Sequence, residues 1–213
     1  MPEPHTLLIF AGASLALYLA PGPDMLLIAN RAIAGGARAG AAAALGVFAG
    51  LIVHMLAAAF GLATLLTVWP VAFTVMKWAG AAYLVYLGLM MLLTRDRGGL
   101  SILPTARGTA WRLFRQGLLV NLMNPKIALF FMAFLPQFVD PNLMGPLASP
   151  AAQILFFGAL FNAGSLIWVL TQAALFARLG AWLFDRPSVR RWIERLSGTV
   201  LLALAARLAT SER

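Results

Sequence analysis

Apolar residues fill this chain in long blocks, and the polar and charged residues collect between them. A helix needs about 20 mostly apolar residues to cross the hydrocarbon of a bilayer, and six blocks meet that requirement. The first covers 6–29 and is interrupted at Pro21-Gly22-Pro23-Asp24. The second covers 39–68, and the third covers 71–93 after a tight turn at Trp69-Pro70. The fourth covers 116–139 and is interrupted at Asn124-Pro125-Lys126. The fifth, 151–177, carries no charge. The sixth, 193–210, is the weakest, because Glu194, Arg195 and Arg207 shorten its uncharged stretch, and five spans is the alternative. The expected fold is an all-α integral membrane protein with six transmembrane helices. They form two three-helix halves, 1–93 and 116–213, joined by a loop at 94–115.

Composition agrees with the pattern. Of 213 residues, 62% are hydrophobic and 11% charged, against roughly 45–50% and about 25% in soluble domains. A soluble fold of this length cannot cover so much apolar surface, so lipid is the expected partner. The opening residues Met1 to His5 contain no Lys or Arg. They lack the basic region of a secretory signal peptide, and the first apolar block is expected to be retained.

The net charge of +9 then reads as topology. The stretches after spans one, three and five hold Arg31 and Arg38; Arg95, Arg97, Arg107, Arg112 and Arg115; and Arg178, Arg186, Arg190, Arg191 and Arg195. These are 12 of the 16 basic residues, whereas 140–150 has none. Basic residues in short loops mark the cytoplasmic side. Their division among loops, without a readout motif, argues against nucleic acid as a partner. The absence of Cys and the presence of only two His argue against disulfides and against a metal site. No cofactor is implied.

The two interruptions carry the chemistry. Proline inside a helix removes a hydrogen bond and clashes with the preceding turn, so Pro21-Gly22-Pro23 and Asn124-Pro125 should break spans one and four. Pro21 and Pro23 precede Arg31 by ten and eight residues, and Pro125 follows Arg115 by ten. At about 1.5 Å rise per residue both breaks lie roughly 12–15 Å from the same membrane face. Three spans is an odd number, so the halves would run in opposite directions as an inverted repeat. Paired broken helices in such halves point to a transporter's binding site.

Each break carries an ionisable residue, and such residues at this depth are functional candidates. Asp24 falls in the first turn of a new half-helix, where the dipole favours negative charge. Lys126 falls in a first turn too, where positive charge is disfavoured. Asn124 suits the N-cap before Pro125. A carboxylate, an ammonium and two half-helix N-termini match a zwitterion: Asp24 for an amino group, Lys126 and the N-termini for a carboxylate. His54, Asn121, Gln137 and Asn162 are further polar residues within spans that could line a cavity, with Ser165 and Gln172 beside them.

The break Pro21-Gly22-Pro23-Asp24, the run from Phe114 to Lys126, the segment from Phe130 to Phe138 and the sequence Glu194 to Gly198 leading to Arg207-Leu208 resemble the LysE/RhtB family of amino-acid exporters. The resemblance covers nearly the whole chain in order. It implies a bacterial inner-membrane exporter of amino acids or their derivatives, driven by proton exchange, with no enzymatic activity. It supports roles for Pro21, Pro23, Asp24, Asn124, Pro125 and Lys126. One departure is Leu204-Ala205-Ala206, where the family more usually has a glycine. A homo-oligomer is left open. A metal carrier would want clustered carboxylates, and Asp24 is the only acidic residue well inside a span. A membrane enzyme would need a nucleophile–base pair, and a channel subunit a polar or carbonyl-rich lining. The spans show neither, and a carrier of another small solute, such as an organic cation, is the remaining alternative.

Overall fold

A computed structural model describes residues 2–62, 70–93, 108–140, 142–184 and 187–210, and every element among them is helical. In chain order these are α1 (Pro4–Leu19), α2 (Pro23–Ala57), α3 (Pro70–Leu93), α4 (Ala110–Leu122), α5 (Pro125–Leu129), α6 (Pro150–Phe184) and α7 (Pro187–Thr210). A π turn at Ala58–Leu62 extends α2, and a π turn at Phe130–Phe134 followed by a 3-10 turn at Leu135–Phe138 extends α5.

Both expected breaks are present. α1 stops at Leu19, Ala20 turns to an extended ψ of 116°, and α2 restarts with Pro23 in its first turn. α4 stops at Leu122 and α5 restarts at Pro125, with Asn124 as N-cap. The segments on either side of this second break are bent by 52°.

Several boundaries differ from the sequence expectation. The loop expected around Arg31 and Arg38 reduces to one residue inside α2, Gly36, at φ 75° and ψ −179°. The chain reverses there: a Cβ at Gly40 would lie 2.7 Å from that of Ala32, and Ile28 and Ala29 share a core cluster with Ala44 and Val47. Small residues at 32, 35, 36 and 40 permit so tight a return. α4 begins six residues before Gln116, because Thr109 caps it by accepting a hydrogen bond from the Arg112 amide at 3.3 Å. α6 continues past Ala177 to Phe184, so Arg178 lies on a helix and not in a loop. The expected turn at Trp69, the residues 94–107 with Arg95, Arg97 and Arg107, and Arg186 lie outside the described residues.

Two stretches, Pro23–Gly61 and Pro150–Gly180, are long and apolar enough to cross a membrane, and the bent pair Ala110–Leu122 with Pro125–Phe138 makes a third. Since the first stretch reverses at Gly36, its membrane-length arm is 37–61. Large apolar side chains such as Leu8, Val53, Phe60, Ile167 and Leu175 point outward, as lipid contact requires.

α2 packs most extensively on α4 and α6, and α3 packs on α7. Without a hydrophobic force between helices in lipid, close approach through small residues drives this packing. A Cβ at Gly46 would collide with the Phe114 carbonyl, and one at Gly117 with the Ala43 carbonyl. Gly88 and Gly198 stand in the same reciprocal relation across α3 and α7, each added Cβ falling 2.8–2.9 Å from the other's carbonyl oxygen. These contacts also orient the bundle. Gly46 against Phe114, Gly40 against Ala173 and Ile33 against Gly180 put the Gly36 reversal, the start of α4 and the end of α6 at one end. Arg38, Arg112, Arg115 and Arg178 are exposed there. The other end is closed by a cluster of Phe10, Phe134, Phe138 and Phe157 and by Gln153, whose side chain makes two 2.8 Å hydrogen bonds to the Asp140 backbone.

Candidate functional site

Breaking a helix strands backbone groups, and here each break is completed by residues of the other. Ala20 ends the first segment, and its carbonyl accepts a 2.9 Å hydrogen bond from the Lys126 ammonium. Asp24 begins the next segment. Its Oδ2 accepts 3.0 Å and 2.9 Å hydrogen bonds from the side-chain amides of Asn121 and Asn124, both at the second break. Asn124 faces both ways, since its Oδ1 also accepts the Lys126 amide at 3.1 Å. Pro125 has no N–H to offer the Asn121 carbonyl four residues earlier. That carbonyl instead takes the Asn124 amide at 2.9 Å and His54 Nε2 at 3.1 Å. A carbonyl only accepts, so this bond puts the proton on Nε2. The His54 ring also stacks on Phe131.

The two N-termini are unequal. At α5, Asn124 supplies both a side-chain cap and the carbonyl that takes the Ile127 and Ala128 amides. At α2 the N-cap is Gly22, without a side chain, and the Asp24 and Met25 amides donate to no described partner. Gly22 also makes room for the ammonium: an added Cβ would lie 3.1 Å from Lys126 Nζ.

A small cavity opens between the breaks. Asp24 and Lys126 line it together with Tyr18, Met25, Ser165, Trp168 and Gln172 among others. Lys126 is only 7% exposed, Asn124 1% and Asn121 not at all. Asp24 Oδ1 is buried and has no hydrogen-bond partner. No ion pair within 4 Å joins Asp24 to Lys126, so each charge keeps capacity for something in the cavity.

Of the other expected residues, Pro21, Gly22, Pro23 and Pro125 form the breaks themselves. Asn121 and His54 stand behind the site as its supports. Gln137 bonds its own helix at the Ala133 carbonyl, 2.9 Å away, and Asn162 reaches Met55 Sδ at 3.5 Å; neither lines this cavity. Among the described residues no group of three His, Cys, Asp or Glu could hold a metal. Sequence reading passed over Tyr18 and Trp168. The available signal was the spacing of Ser165, Trp168 and Gln172, which puts all three on one helical face.

A buried carboxylate and ammonium facing a cavity between two broken helices, inside a molecule with an apolar exterior, define a membrane transport protein. The profile of the LysE type translocator family matches residues 15–212, and the chain belongs to that family: it is a transporter, not an enzyme. It is 34% identical over 201 residues to an uncharacterised membrane protein of Pseudomonas aeruginosa, covering 91% of this chain and 89% of that one. It is 32% identical over 199 residues to the homoserine/homoserine lactone efflux protein of Salmonella typhi, and 31% identical to that of Salmonella typhimurium, covering 93% of each chain. No solved structure matches the chain.

Proposed function

We propose that this protein exports amino acids or their close derivatives across the bacterial inner membrane in exchange for protons, through a site formed by the two helix breaks. The observation that carries the reading is the Asp24 carboxylate, which lines the cavity: one oxygen is held by Asn121 and Asn124, and the other is buried without a hydrogen-bond partner. A cargo ammonium satisfies that free oxygen. Lys126 and the open α2 amides suit the carboxylate of a free amino acid. Homoserine and its lactone, named for two relatives, share an amino group but not a free carboxylate, which favours the amine as the main anchor.

The architecture we propose is six spans in two inverted halves. In support, α1 corresponds to α4, 23–35 to 125–138, 37–62 to 150–184, and α3 to α7. Corresponding helices of the two halves pack together, α2 on α6 and α3 on α7. The Arg-rich end is cytoplasmic by the positive-inside rule. Proton coupling follows from one carboxylate serving two cations. Asp24 holds the cargo ammonium when ionised and releases it on taking a proton from the outer side.

The test is efflux. Cells lacking background exporters express the chain, receive dipeptides and are assayed for released amino acids. Release by wild type and its loss in Asp24→Asn, at equal membrane abundance, supports the reading. No release by wild type, or undiminished release by Asp24→Asn, refutes it.

A further inference from the structure

One wall of the cavity takes no part in holding Asp24 or Lys126. Phe161, Ser165, Trp168 and Gln172 follow one another along α6 at steps of four, three and four residues, so one helical face presents them all, and all four line the cavity. Trp168 Nε1 is buried and without a hydrogen-bond partner. The indole N–H only donates, and a buried tryptophan usually finds an acceptor. Among the residues lining the cavity, only Asp24 and Lys126 carry charge.

We infer that Trp168 and Gln172 form the subsite for the cargo's side chain, and that it takes a neutral side chain bearing an acceptor oxygen, such as a hydroxyl, carbonyl or ring ester. The inference rests on the proposed export of amino acids and names the class of cargo. A cationic side chain meets no second carboxylate in the cavity, since Asp24 is engaged by the amino group. An anionic one meets no second ammonium or guanidinium. An aliphatic side chain of equal length leaves the indole N–H unpaired, and a site built around a hydrogen bond rejects such an analogue.

The full chain reconstituted in vesicles decides this by exchange of labelled homoserine against unlabelled competitors. Homoserine should compete about tenfold better than 2-aminobutyrate, which lacks only the hydroxyl, and lysine should compete poorly. Trp168→Phe, which keeps an aromatic ring without the N–H, should bring that ratio close to one while 2-aminobutyrate competes as before. If Trp168→Phe fails to insert, Gln172→Leu replaces it, with a ratio lowered about threefold or more expected. A ratio unchanged in the variant that inserts, or lysine competing as well as homoserine, overturns the subsite. Asp24→Asn separates the two readings. Exchange that persists there overturns the site itself, whereas exchange lost there with the ratio intact in Trp168→Phe overturns only the subsite.

Discussion

His54 supports the proposed site without lining its cavity. Its Nε2 donates to the one carbonyl that Pro125 leaves without its helical partner. This makes it a positioning residue for the break that presents Asn121, Asn124 and Lys126. His54→Gln, which can still donate, should export at close to the wild-type rate and remain sensitive to an uncoupler. His54→Ala should lose about 1 kcal/mol of stability, the worth of an ordinary hydrogen bond, read as a lower melting temperature in detergent. If instead His54→Gln abolished proton coupling while the protein stayed folded, His54 would belong to the proton path. At this scale the sequence marked the residues that the breaks bring together. Asp24 and Lys126 stood out because ionisable groups beside prolines in apolar blocks are costly, and Asn124 as the cap before Pro125. Which atoms meet was not legible, because the pairing of Asp24 with Asn121 and Asn124 joins positions about a hundred residues apart. Trp168 escaped notice because tryptophan is unremarkable in an apolar helix until its N–H is seen to lack an acceptor.

Among the elements, the breaks could be read from proline alone and the turn between 29 and 39 from its two arginines, but not that this turn narrows to the single residue Gly36. Gly36 sits among exposed small residues, and no proline or run of polar residues marks it. What defines it is φ 75° with ψ −179°, a region essentially reserved for glycine and costing about 1–3 kcal/mol for other residues. Gly36→Ala should therefore lose stability in that range, read as a lower melting temperature, although an added Cβ would meet no atom within 4 Å. Gly12→Ala, in α1, is the control, since its Cβ is equally unobstructed in an ordinary helical setting. Equal melting of the two variants would contradict the strain argument. Helix lengths were legible only approximately: charge marks where a span leaves hydrocarbon, and α6 runs past Arg178 because an exposed arginine at a helix end can reach water.

For the molecule as a whole, Asp24 and Lys126 link its two broken segments while an aromatic cluster closes the end opposite the arginines. In the proposed cycle, cargo held at the breaks passes that cluster to leave, which requires α1 and the 125–138 segment to separate from α6 at Phe10, Phe138 and Phe157. The hydrophobic blocks announced the membrane class, and the arginine distribution carries the polarity proposed above. They could not announce this plug, because phenylalanines facing lipid and phenylalanines facing each other look alike in sequence. The claim on which the account turns is that one carboxylate exchanges a cargo ammonium for a proton. The most direct test is movement of homoserine into or out of vesicles containing the purified chain, driven by an imposed pH gradient and compared with N-acetylhomoserine. The account predicts that homoserine moves against the proton flow, that the acetylated form, which has no ammonium, does not move, and that Asp24→Asn abolishes the gradient-driven transport. Equal transport of the two compounds, or gradient-driven transport by Asp24→Asn, would contradict it.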